Sequence, residues 1–134
     1  MTSTVEYLGD LRTTAVHLTS KKNILSDAPV DNQGKGEAFS PTDLVATALG
    51  SCLLTIMGIK AGDMEVEIKG TTAKISKVMG STPRRISEIN ITVTMSNSFD
   101  QKTQKILEKA ALSCPVANSL HSDLKQNIRF IWPS

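Results

Sequence analysis

Between Ile86 and Met95 apolar and polar positions alternate, with Ile89, Ile91, Val93 and Met95 set against Glu88, Asn90, Thr92 and Thr94. Such a period of two predicts a strand with one face buried. Glu65 to Ile75 reads as its antiparallel partner, with Gly80, Ser81, Thr82 and Pro83 as the connection. From Leu44 to Ile59 the pattern changes, because Thr47, Ser51 and Thr55 are the only polar side chains. That run predicts a helix buried on most sides. Ser40-Pro41-Thr42-Asp43 starts it with a serine cap, a proline at the first helical position and a carboxylate three residues after the cap. The apolar run is 16 residues long, short of the roughly 20 that a bilayer span requires.

A second helix is predicted to end near Leu112, with Ile106, Leu107, Ala110 and Ala111 on one face and Ser98 with Gln101 as its capping pair. Ser113-Cys114-Pro115 stops it and begins a third, which places Cys114 near a helix N-terminus. Leu11 to Leu18 and Asn23 to Ser26 flank the polar break Thr19 to Lys22 and predict an N-terminal hairpin. Asp27 to Phe39, with Pro29, Gly34 and Gly36, reads as a functional loop, and Ile128 to Trp132 as a closing strand. The predicted order is β-β-α-β-β-α-α-β within a single domain over residues 1–134.

Composition narrows the partners. Hydrophobic residues make up 40% of the chain but aromatics only 4%, so aliphatic side chains must fill the core. A formal charge of +2 argues for neither a nucleic-acid nor a membrane partner. The start, with Glu6 and Asp10 and no apolar stretch, resembles no secretory signal, so a cytoplasmic protein is expected. There the two cysteines, Cys52 and Cys114, should rest as thiols. Their wide separation excludes a Cys-x-x-Cys motif, and His17 and His121 offer no zinc-ligand spacing, so neither metal nor cofactor is expected.

The local chemistry of the thiols leaves alternatives open. Cys114 at a helix start would feel the positive end of the dipole and ionise more readily, or it is simply a small buried hydrophobe. Cys52, inside the apolar helix, looks structural unless a cation reaches it, and Arg12 is the best N-terminal candidate. Asp43 completes a helix cap or serves a site. Ser119, His121 and Asp123 lack a nucleophile elbow, and Gly34-Lys35-Gly36 lacks the continuation of a phosphate loop.

The stretch from Phe39 through Ser40-Pro-Thr-Asp-Leu-Val-Ala-Thr-Ala-Leu-Gly-Ser-Cys52-Leu-Leu, together with Cys114-Pro-Val-Ala-Asn-Ser-Leu120, resembles the osmotically inducible protein C / organic hydroperoxide resistance family. The resemblance implies an α+β, OsmC-like fold in which antiparallel sheets wrap two central helices in an intertwined homodimer. It implies a thiol-dependent peroxidase acting on organic hydroperoxides in oxidative stress defence. Cys52 would attack the peroxide, Cys114 would close a disulfide with it, and an external dithiol would reduce the pair. Arg12 would hold the thiolate. Where hydroperoxide-reducing members carry a glutamate after the motif's proline, this chain has Thr42, with Asp43 next and Glu37 in the preceding loop as candidate substitutes. The alternative is a small-molecule binding protein of the same fold with weak or no peroxidase activity.

Overall fold

Three antiparallel strands, β1 (Ser3–Gly9), β2 (Arg12–His17) and β3 (Asn23–Asp27), open the chain as one sheet. The computed structural model describes residues 1–134, which cluster into two units, Met1–Val45 and Ala46–Ser134. The predicted hairpin is β2 and β3. The additional strand β1 is exposed at nearly every position, and the short alternation of Val5 and Tyr7 with Thr4 and Glu6 is the signal by which the sequence could have revealed it. It joins β2 through Asp10 and Leu11, whose φ values of 54° and 62° match the tight turn that suits strand twist. The residues buried in this first unit are polar: Ser26, Asp27 and Ser40.

After β3 the chain folds back on itself. Asn32 and Gly34 both donate to the Pro29 carbonyl, Gly36 donates to that of Ala28, and Val30–Asn32 forms a 3-10 turn. Only glycine fits at position 34, where a Cβ would lie 1.8 Å from the Ala28 carbonyl oxygen. The first long helix, α1 (Pro41–Asp63), then begins and carries into the second unit. It runs past the predicted end at Ile59 because Ala61 continues its buried face. Glu65, at φ 57°, closes it in the left-handed conformation, and the Val66 amide reaches back to the Ala61 carbonyl.

The second unit holds the aliphatic core. Leu49, Leu53 and Met57 of α1 pack in one cluster with Ile89, Ile91 and Val93 of strand β5 (Arg85–Thr94) and with Leu107 and Ala111 of helix α2 (Gln101–Leu112). Each fully buried aliphatic side chain of this kind contributes about 1.5–3 kcal/mol. Strand β4 (Thr72–Gly80) pairs antiparallel with β5, as expected, but starts seven residues later than the predicted Glu65. Val66 and Ile68 still pack against the core, so the alternation is real, but a left-handed Glu65 and a turn at Gly70 leave the segment without a ladder partner.

Two further corrections concern ends and directions. The α2 cap is Asp100, which accepts from the Thr103 amide, and not Ser98. Strand β6 (Lys125–Ile131) begins before the predicted Ile128 and lies parallel to β5, so its sheet is mixed rather than antiparallel. The long connection through α2 and the short helix α3 (Pro115–Ser119) provides the crossover that parallel pairing needs. In the chain alone α1 is also less covered than its composition predicts. Its most apolar 18-residue window is 33% buried, and Val45, Ala48, Ser51, Thr55 and Ile59 form an exposed stripe at helical spacing.

Candidate active site

Cys52 sits in the middle of α1, half-buried, beside the core residues Leu49 and Leu53. Cys114 is the N-cap of α3 and is fully buried, its Sγ accepting a hydrogen bond from the Ala117 amide at 3.3 Å. Both are free thiols. Burial pushes the Cys114 thiol above its ordinary range, and the neighbouring Cys52 pushes it further, while the Ala117 amide pulls the other way. Of the two readings of Cys114 this favours the small buried hydrophobe, because desolvation outweighs one turn of helix. The pair thus combines a half-buried cysteine with a fully buried one.

The second constellation lies wholly in the first unit. Arg12 at the start of β2 and Asp27 at the end of β3 are cross-strand neighbours. Arg12 Nη2 donates to Asp27 Oδ2 at 3.3 Å and also to Glu37 Oε2. The Glu37 amide donates to the same Asp27 Oδ2 at 2.9 Å. These contacts hold the Asp27 carboxyl below the usual carboxylate range, the Glu37 amide contributing most and Arg12 next, against an opposing effect of burial. Asp27 and Glu37 in turn raise the Arg12 guanidinium further above its already high value.

Of the candidate carboxylates, then, Glu37 meets Arg12. Asp43 accepts from the Ser40 amide at 2.9 Å, and Ser40 Oγ accepts from the Asp43 amide at 3.0 Å, a reciprocal capping box. The Thr42 hydroxyl lies 3.2 Å from Ser40 Oγ. Ser119 donates to the Pro115 carbonyl, and exposed His121 accepts from the Asp123 amide, which is no nucleophilic relay. No three His, Cys, Asp or Glu side chains group as metal ligands. Sequence reasoning missed Asp27, reading it as the first residue of a loop. Extending the hairpin register outward from its turn would have set it opposite Arg12.

The sequence profile of the OsmC-like protein family matches residues 34–129, which takes in the Glu37 loop, the capping box and both cysteines. The chain belongs to the OsmC-like family. A protein from Psychrobacter arcticus 273-4, named for osmotic stress induction and a detoxification response, is 60% identical over 98% of this chain and 96% of its own, with a TM-score of 0.95. An OsmC-like protein from Mycoplasma pneumoniae is 18% identical over 98% of this chain and 96% of its own and superposes at a TM-score of 0.82. An organic hydroperoxide resistance protein from Legionella pneumophila is 15% identical over 97% of this chain and 96% of its own, at a TM-score of 0.76. The last two establish likeness of fold alone. No curated protein matches the chain significantly. The architecture is accordingly α+β and OsmC-like, with two long helices and two three-stranded sheets.

Proposed function

We propose that this protein is a thiol peroxidase that reduces organic hydroperoxides. The reading rests on one observation above all, the placing of a half-buried Cys52 beside a fully buried Cys114, both as free thiols. The Cys52 thiolate attacks the distal peroxide oxygen, an S–O bond forms, the O–O bond breaks, and the alkoxide leaves and takes up a proton as the alcohol. The sulfur, oxidised by two electrons, is then a sulfenic acid. The Cys114 sulfur, deprotonated, attacks it, hydroxide leaves as water, and a Cys52-Cys114 disulfide results. An external dithiol restores both thiols by exchange. Arg12, held by carboxylates, is the cation assigned to the thiolate, and Glu37 takes the part that the glutamate at Thr42 plays in hydroperoxide-reducing members. Asp43 supports the site through the start of α1.

The same reading includes a homodimer in the cytoplasm. Two sets of uncovered apolar positions favour it: Val45, Ala48 and Ile59 in the exposed stripe of α1, and Val5, Tyr7, Leu8, Ile24 and Leu25 on the first sheet. In a turnover assay with an organic hydroperoxide and a dithiol, Cys52→Ser should abolish reduction, and mass spectrometry of the oxidised wild type should find the Cys52-Cys114 disulfide. Undiminished turnover in Cys52→Ser rejects the mechanism.

A second reading, a small-molecule carrier, is favoured by a cleft of about 390 Å³ lined by Leu54, Gly58, Gly62, Val66 and Ile68. Native mass spectrometry separates the two. A retained ligand with thiols inert to peroxide supports the carrier, and an empty protein with rapid disulfide formation supports the peroxidase.

A further inference from the structure

We infer that Asp27 is a positioning residue, which acts through Arg12 and Glu37 to fix the guanidinium for its anionic partner. The inference rests on the reading of Arg12 as the cation that serves the thiolate. Asp27 joins three parts of the first unit. Its Oδ2 accepts from Arg12 Nη2 on β2 and from the amide of Glu37 in the loop, so one oxygen ties a side chain to a backbone. Its own amide donates to the Phe39 carbonyl at 2.9 Å, and the next amide, of Ala28, donates to Leu11 at 3.0 Å. Both ends of the loop are therefore anchored at the residue that holds the arginine.

Between those anchors the loop has little freedom. The Pro29 and Ala28 carbonyls take its amides, and Gly34 lies tight against Ala28. Glu37 follows Gly36, whose amide is tied to Ala28, and its own amide is tied to Asp27, so the backbone from which its carboxylate reaches Nη2 is held. Both carboxylates converge on that one nitrogen, so the position of the planar guanidinium is set by two anions at once.

The cluster is poorly arranged for stability alone. Asp27 is fully buried, yet its Oδ1 has no hydrogen-bond partner, nor has the buried Arg12 Nε. A buried ion pair with unsatisfied atoms is weak as a stabilising device. A fixed guanidinium, by contrast, matters to a reaction in which small misplacement is expensive.

The test is a mutant cycle on the purified, reduced full chain, with Cys52 oxidation by tert-butyl hydroperoxide followed in stopped flow across pH. Asp27→Asn should slow the reaction roughly 10- to 100-fold, as misplacement of a reacting group does, and displace the pH–rate profile in the same direction as Arg12→Ala. In the Arg12→Ala background, Asp27→Asn should change the rate by less than about twofold, the signature of two residues acting as one unit. An equal slowing with and without Arg12 would show a merely structural effect and overturn the inference. Glu37→Gln, at an exposed side chain, guards against misfolding of Asp27→Asn and should behave likewise. A slow Arg12→Ala beside wild-type rates in Asp27→Asn and Glu37→Gln sinks the Asp27 inference alone. A wild-type rate in Arg12→Ala sinks the assignment of Arg12 itself.

Discussion

Cys114 is a thiol that burial makes reluctant to ionise, which sets when the proposed disulfide can close. Desolvation, the largest cause of the shift, remains when Cys52 is oxidised. Closure from the sulfenic acid should therefore accelerate with pH through and beyond the ordinary thiol range of about 8.5. A quenched-flow time course of disulfide formation checks this, and a rate independent of pH from about 6 to about 8 contradicts it. Asp27 has the opposite sign. Its lowered carboxyl contributes stability that is complete above the unfolded value of about 3.9 and is lost as pH falls through the lower folded one. The urea midpoint of the wild type should drop across that acid interval more steeply than that of Asp27→Asn. The cysteines were legible from their motifs. Asp27 was not, because its meaning depends on a partner fifteen residues away across a hairpin.

Helix starts were the elements read best, because a cap is written within four consecutive residues. Ser40 and Asp43 form the anticipated box, and Ser40→Ala should cost about 1 kcal/mol in urea unfolding. Ser98 was the exception. Asp100 stands nearer the first helical residue and accepts from Thr103, an equally local competitor for the same role. Close approaches between elements were invisible in advance. Gly50 is one, since a Cβ there would meet Ile75 Cδ1 at 2.4 Å. Gly50→Val should overpack this contact and destabilise by about 1–3 kcal/mol. Gly34→Ala would instead strike the Ala28 backbone and displace the loop that carries Glu37. It should slow Cys52 oxidation by tert-butyl hydroperoxide while leaving the unfolding midpoint less affected than Gly50→Val does.

At the scale of the whole molecule the apolar positions left uncovered in one chain are the basis for the proposed homodimer. Sedimentation at micromolar protein should give twice the mass of the chain, and Ile24→Glu with Leu25→Glu should shift it toward monomer if the exposed sheet is buried in the dimer. The amino-acid sequence determined the helices, the β5 alternation, the cysteine motifs and hence the family, because caps, periodicity and motif spacing are set by residues a few positions apart. Only the tertiary structure decided that β6 runs parallel to β5, that Asp27 and Glu37 meet on Arg12, and that Cys114 is fully buried. Each of these depends on which distant segments pack together and what water they exclude. Neither a local pattern nor a propensity encodes that.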